Sequence, residues 1–161
     1  MPPEPDEALS LLVESYHGEV WGEAIFGTLA ELLADEDHRA KLRTLTLLER
    51  TMAGFLAPLV PPGAGDEAGQ RASGEETAEA LIDLPWSEFV GSIEPVTEQF
   101  LAKYRRLGEV ATRPGWVAAA GVLVSHEEAL GEFAREELAG HPHPTAAIDR
   151  FLADQFQTTG S

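Results

Sequence analysis

Residues 61–74 read PPGAGDEAGQRASG and contain no large apolar side chain. Paired prolines and repeated glycines disfavour a regular element, so the sequence predicts a mobile loop over 61–75 that is long for a compact domain. Helical periodicity surrounds this loop on both sides, and no convincing strand alternation occurs anywhere in the chain. The loop therefore decides how the helices before it connect to the helices after it.

Apolar residues recur at steps of three and four on each side of the loop. This spacing predicts two long helices before the loop and two after it, followed by a short C-terminal helix. Ser73 and Glu76 fit a capping box, which indicates a further short helix through Ala78, Leu81 and Ile82. All 161 residues are predicted to form one helical domain. The predicted helices span about 6–34, 36–59, 85–108, 113–139 and 145–156.

The lengths of the connections predict the topology. The first two long helices are joined tightly, as are the last two, and tight connections make neighbours antiparallel. A long middle connection allows helices 2 and 3 to run parallel, through a crossover along the bundle. The predicted fold is therefore an all-α, ferritin-like four-helix bundle with a long crossover between helices 2 and 3 and a short C-terminal helix. A plain up-down-up-down bundle with a flexible middle loop is the alternative.

Composition and charge exclude several classes of function. The chain has 11 Lys and Arg against 28 Asp and Glu, a net charge of −17, which disfavours nucleic acids and anionic membrane surfaces as partners. It has no cysteine and no apolar run long enough to span a membrane. Residues 1–6, MPPEPD, lack a basic start and a hydrophobic stretch, so no secretory signal is predicted and a cytoplasmic location is expected.

Several polar side chains interrupt the apolar stripes. Glu19 and Glu23 are four residues apart on the stripe of the first helix, and Glu49 lies on the stripe of the second. Burial of an unpaired carboxylate is costly, so an inward glutamate should hold a proton, pair with a cation or bind a metal. With the candidates from the third and fourth helices, the predicted metal-ligand set is Glu19, Glu23, Glu49, Glu94, His126 and Glu127.

With these residues on four helices, the layout resembles the ferritin-like di-iron carboxylate proteins, in topology more than in sequence. In that family each of four helices supplies a glutamate, and two helices add a histidine three residues later. The resemblance implies a centre of iron or manganese at mid-bundle. It implies that Glu19 or Glu23 is the ligand from the first helix, and that Glu49, Glu94 and Glu127 serve from the other three.

Other residues occupy the positions of the family's histidines. Met52 stands three residues after Glu49, Leu130 stands three residues after Glu127, and His126 lies directly before its carboxylate. The function expected first is therefore a non-catalytic or metal-depleted module that binds a small ligand in the bundle core or a protein partner. The alternative is a carboxylate-bridged di-metal oxidase or oxygenase with its site at mid-bundle.

A third interpretation of the inward carboxylates needs neither metal nor ligand. Glu19 and Glu49 would then form buried hydrogen bonds or ion pairs, for example with Arg43, Arg50 or Lys103.

Two glycines interrupt the first predicted helix four residues apart. Each of Gly18 and Gly22 destabilises a helix interior by about 1 kcal/mol relative to alanine. Together they make a flat surface that admits a neighbouring helix, a ligand or a second copy of the chain. Close helix packing is the preferred explanation, and a homodimer is the expected assembly.

Overall fold

The computed structural model describes residues 5–156 of the chain, with side chains from residue 7 onward. This part contains six α-helices and no strand, so the prediction of an all-α protein is confirmed. A 3-10 turn, Ala57–Leu59, follows the second helix. The helices are α1 (Pro5–Leu32), α2 (Glu36–Leu56), α3 (Glu67–Leu81), α4 (Trp86–Val110), α5 (Pro114–Leu138) and α6 (Ala146–Phe156).

The ends of α1, α2, α4, α5 and α6 lie within three residues of the predicted ends, the largest difference being at Leu56, where the prediction reached residue 59. The start of α2 shows why helix ends can be predicted from the sequence. Asp35 caps the helix by accepting a hydrogen bond from His38 N–H at 3.0 Å. Short acidic side chains satisfy the free N–H groups of a first turn in this way.

The predicted loop over 61–75 is wrong in its second half, because α3 begins at Glu67. Asp66 caps this helix by accepting a hydrogen bond from the N–H three residues on. The described buried residues of α3 are Gly74 and Ala78, so the helix packs through small residues and has no stripe of large apolar ones. Its composition is therefore close to that of a loop.

Contacts at two levels show that α1 and α2 are antiparallel. Near the middle of both helices, Gly22 lies against the carboxylate of Glu49. Near the turn that joins them, Arg39 Nε donates to the carbonyl of Ala30 at 3.1 Å. Positions therefore increase along α1 as they decrease along α2.

Helix α4 is antiparallel to α1. Arg106, near the end of α4, pairs with Glu7 at the start of α1 at 2.8 Å. At the other end the rings of Phe26 and Phe89 meet edge to face, with centroids 6.4 Å apart. Since α2 and α4 both run against α1, they run in the same direction.

Helix α5 is antiparallel to both α4 and α2. For each pair of helices, two contacts at different positions along the helix axes show the relative direction. They join Glu94 with Arg135 and Gly108 with Ala120 for α4, and Lys41 with Glu137 and Glu49 with His126 for α2.

Helix α3 lies along α1 and runs parallel to it. Tyr16 donates from its hydroxyl to Glu67 at 3.0 Å near the start of α3. Farther along, a Cβ added at Gly74 would lie 2.7 Å from the carbonyl oxygen of Trp21. The α3 segment thus covers the distance between the end of α2 and the start of α4.

The core lies between α1, α2, α4 and α5, and α6 packs mainly against α5. Between residues 5 and 156, no helix combines the length and hydropathy that a membrane span requires. The largest fully buried side chains include Tyr104, Phe133, Leu12, Leu42, Leu45, Met52, Leu107 and Leu123.

Candidate metal centre

Five polar side chains from four helices meet inside this core. Glu19 comes from α1, Glu49 from α2, Tyr104 from α4, and His126 and Glu127 from α5. Each is at most 4% exposed to solvent. Such deep burial of three carboxyl groups in one place requires a specific compensation.

His126 is at the centre of the cluster. Its Nε2 lies 3.0 Å from Glu49 Oε1 and 3.4 Å from Glu19 Oε2. Its Nδ1, on the other edge of the ring, lies 3.2 Å from Glu127 Oε2. The hydroxyl of Tyr104 donates to the second oxygen of Glu19, Oε1, at 3.2 Å. The imidazole therefore separates the Glu19–Glu49 pair from Glu127.

A glycine on α1 makes space for one of these carboxylates. A Cβ added at Gly22 would lie 2.7 Å from Glu49 Oε2 and 3.1 Å from its Cδ. Any larger residue at this position would force the carboxylate to move. The close packing expected of Gly22 thus serves the side chain of Glu49.

Two buried polar atoms of the cluster lack a hydrogen bond among the residues that the structure describes. They are Glu19 Oε2 and His126 Nδ1. The 3.2 Å approach of Glu127 to Nδ1 is a close contact without hydrogen-bond alignment. A buried polar group left unpaired costs about 1–3 kcal/mol, so both atoms are available to a further partner.

Burial also changes the acidity of the carboxyl groups. Loss of hydration raises the pKa of Glu49 to about 8, and the charges of Glu127 and Glu23 act in the same direction. Burial likewise raises the pKa of Glu127 to about 8. The pKa of Glu19 is raised well above its ordinary value by burial and then by the charge of Glu49. Without a cation in the cluster, Glu49 and Glu127 hold protons near neutral pH.

Four of the six predicted ligands come together here: Glu19, Glu49, His126 and Glu127. One ligand atom each from Glu19, Glu49 and His126 lie within 4.8 Å of one another. These three side chains are therefore close enough together to be considered as ligands of one ion.

The other two predicted ligands pair with arginines. Glu23 Oε1 accepts from Arg50 Nε at 2.9 Å, and its other oxygen lies 3.6 Å from Arg71. Glu94 accepts from Arg135 at 3.0 Å, and its side chain is 43% exposed. Both carboxylates already have a cationic partner.

The basic residues considered as buried partners of Glu19 and Glu49 pair elsewhere. Arg50 pairs with Glu23. Arg43 pairs with Glu36, and Lys103 pairs with Glu14, each at 3.0 Å. The three ion pairs lie on the outside of the bundle.

Tyr104 was not predicted as a site residue, because its ring fits the apolar stripe of α4. One signal was available: a tyrosine on a buried stripe needs a partner for its hydroxyl. Glu19 is that partner.

A second group of potential ligands, Asp35, Asp37 and His38, lies at the exposed start of α2. Asp35 caps the helix there, and Asp37 pairs with Lys41 at 2.6 Å. These contacts account for the group without a ligand.

Comparison of the chain with protein-family models, with curated proteins and with solved structures finds no match. The function is therefore argued from the geometry of the buried cluster.

Proposed function

We propose that this chain is a ferritin-like helical bundle that binds one divalent transition-metal ion, iron or manganese, through Glu19, Glu49 and His126. The observation that carries the proposal is the position of His126 Nε2, 3.0 and 3.4 Å from two buried carboxylate oxygens. One of these oxygens, Glu19 Oε2, has no hydrogen bond within the described residues.

The donor set fits such an ion. Two carboxylates balance the charge of a divalent cation, and a neutral imidazole adds a nitrogen donor of the kind that iron and manganese accept. Ligand atoms held about 2.1 Å from one ion at angles of about 90–110° lie about 3.0–3.4 Å apart. The distances from His126 Nε2 to Glu49 and Glu19 fall in this range.

The remaining polar groups fit supporting roles. Glu127 lies 3.2 Å from Nδ1 of His126, on the side of the ring where a metal-binding histidine usually has a carboxylate partner. Tyr104 donates to Glu19 Oε1 and leaves Glu19 Oε2 directed at the imidazole. When bound, an ion of this class supplies Lewis-acid or redox chemistry.

The arginine pairs support one ion over two. A carboxylate-bridged di-metal oxidase would draw further ligands from Glu23 and Glu94. Glu23 is paired with Arg50 and Arg71, and Glu94 with Arg135. Both residues would have to give up these ion pairs to bind a second ion.

The ferritin-like assignment is supported by the helix directions. Helices α2 and α4 run in the same direction. Helix α3, which connects them in the chain, lies along α1. This is the connectivity of a crossover between the second and third long helices of a bundle. A homodimer stays a prediction.

A metal-free bundle is the competing proposal, favoured by the raised pKa of Glu49 and of Glu127. In it the carboxyl groups keep their protons and hydrogen-bond to His126 and to each other. The protein would then be a structural or ligand-binding module with a buried polar network.

Metal content separates the two proposals. Untagged protein is incubated with Fe²⁺ or Mn²⁺ under anaerobic conditions, desalted, and analysed by mass spectrometry of the metal. We expect one ion per chain, a loss of affinity of about tenfold or more in Glu49→Gln, and no loss in the matched variant Glu94→Gln. Protein that holds neither ion, together with a Glu49→Leu variant more stable than wild type, would contradict the metal proposal.

A further inference from the structure

An apolar groove of about 240 Å³ lies between α1, α3 and α4, closed at its base by α5. Its wall is almost entirely hydrocarbon and aromatic. The residues that define it include Trp21, Phe26, Leu81, Phe89, Val96 and Leu130.

The groove lies next to the metal centre proposed above. A smaller cavity of about 60 Å³ shares part of its lining with the groove and is also lined by Glu19, Glu49, Tyr104 and Glu127. The shared lining residues are Trp21, Ile25, Phe26, Val96 and Leu130. The buried polar cluster is thus adjacent to the apolar groove, with these five residues between the two spaces.

We infer that this groove binds a small, uncharged apolar molecule, an alkyl chain or a single aromatic ring, with one end directed at Glu19 and Glu49. An apolar cavity of about 150 Å³ holds a benzene molecule, so the groove has room for a somewhat larger hydrocarbon. An anionic end group is disfavoured because burial of a carboxylate without a cationic partner is costly, and because the chain carries a net charge of −17.

The shape of the groove favours a small molecule over a protein partner. Ile25, Phe26, Phe89 and Leu130 are each at most 8% exposed, so the space is a crevice between packed helices. A docking helix needs exposed apolar side chains to cover. Val96, at 38% exposed, is the lining residue at the solvent-facing side of the groove.

Binding is tested on chelator-treated protein, so that the result does not depend on metal uptake. Isothermal titration with 1-octanol should show saturable binding of one molecule per chain, and octanoate should bind at least about tenfold more weakly. Val96→Trp, which fills the groove from its solvent-facing side, should weaken octanol binding by about tenfold or more. Ser92→Phe fills the same groove from a second position and serves if Val96→Trp does not fold.

The matched control is Val117→Trp. Val117 is 44% exposed on α5 and lies outside the groove lining, so octanol binding should be unchanged. Absence of saturable octanol binding by the wild-type protein would overturn the inference, as would wild-type affinity in both filled variants. A wild-type dimer that Val96→Trp converts to monomer in sedimentation would also overturn it, because a second copy would then occupy the groove.

Metal content is measured on the same samples. Octanol binding without metal uptake would contradict the metal proposal alone. Metal uptake without octanol binding would contradict the groove inference alone.

Discussion

The carboxylate of Glu49 on α2 packs directly against Gly22 on α1: a Cβ at residue 22 would lie 2.7 Å from Glu49 Oε2. The carboxylate fills the volume that a side chain on α1 would take. This contact brings the α2 carboxylate to within 3.0 Å of His126. The glycine is therefore part of the architecture of the candidate metal centre.

Gly22→Ala should displace the Glu49 carboxylate, because the end of that side chain is free to move while the two helix backbones are not. We expect metal affinity to fall by about tenfold or more, measured by titration with Mn²⁺. Gly121→Ala on α5 is the control, since no heavy atom of the described residues lies within 4 Å of its added Cβ, outside the neighbouring backbone. It should keep its metal affinity and gain up to about 1 kcal/mol in unfolding free energy. Unchanged metal affinity in Gly22→Ala would mean that Glu49 is not a ligand.

The unfolding free energy of the metal-free protein should depend on pH through Glu49 and Glu127. Their pKa values are about 8 in the folded chain, against an ordinary value of 4.5. The folded state therefore binds more protons between these limits, and this contribution to stability is complete below about pH 4.5 and is lost as pH rises to about 8. The decline should reach at most about 1.4 kcal/mol per pH unit for each group.

Urea unfolding between pH 5 and pH 8 checks this prediction on chelator-treated samples. The double variant Glu49→Gln/Glu127→Gln should show a shallower decline than wild type, whereas Glu94→Gln should follow wild type. Equal slopes for the wild type and the double variant would show that these carboxyl groups are ionised in the folded protein.

Tyr104→Phe should lower the unfolding free energy by about 1–2 kcal/mol, because Glu19 Oε1 would lose its buried donor. The other tyrosine provides the control. Tyr16 donates to Glu67 at an exposed position, so Tyr16→Phe should change stability by less than about 0.5 kcal/mol. Equal effects of the two variants in urea unfolding would argue against a structural role for the buried hydroxyl.

Gly74→Ala should loosen α3 from α1. The added Cβ would lie 2.6 Å from the Cβ of Ala24 and 2.7 Å from the carbonyl oxygen of Trp21, and the backbone atom cannot turn aside. We expect a loss of about 1–3 kcal/mol in unfolding free energy and faster hydrogen exchange in α3. Gly91→Ala on α4 meets no such obstacle in the described structure and should be neutral or stabilising. Unchanged exchange in α3 would contradict the close packing of this helix.

Part of the candidate site could be predicted from helical periodicity alone. Glu19, Glu49 and Glu127 fall on stripes whose other members are large and apolar, and a helix directs such positions toward the core. His126 follows because it precedes Glu127 at the edge of the same stripe. Periodicity shows on which face of a helix a residue lies, and for these four residues the face alone was sufficient to predict that they are buried.

The remaining residues depend on partners that are distant in sequence. Glu94 lies at the edge of its stripe, and its pairing with Arg135 is set by how α4 and α5 pack. Glu23 lies one turn from Glu19, but arginines on α2 and α3 hold it at the rim. A single helix pattern carries no information about such contacts.

The first half of helix α3 was predicted as a loop for a different reason. Its buried positions are Gly74 and Ala78, whose small size lets two helices approach closely and leaves no hydrophobic stripe to recognise. Its N-cap, Asp66, was the signal within the sequence, and the surrounding glycines obscured it.

Anomalous diffraction from a crystal soaked in Mn²⁺ tests the central claim most directly. We expect a single peak inside the bundle, about 2.0–2.3 Å from His126 Nε2 and from one oxygen each of Glu19 and Glu49. Glu94 should remain paired with Arg135. An empty core would contradict the proposed site, as would a peak confined to the exposed Asp35–Asp37–His38 group, and two peaks bridged by Glu94 would contradict the assignment of one ion.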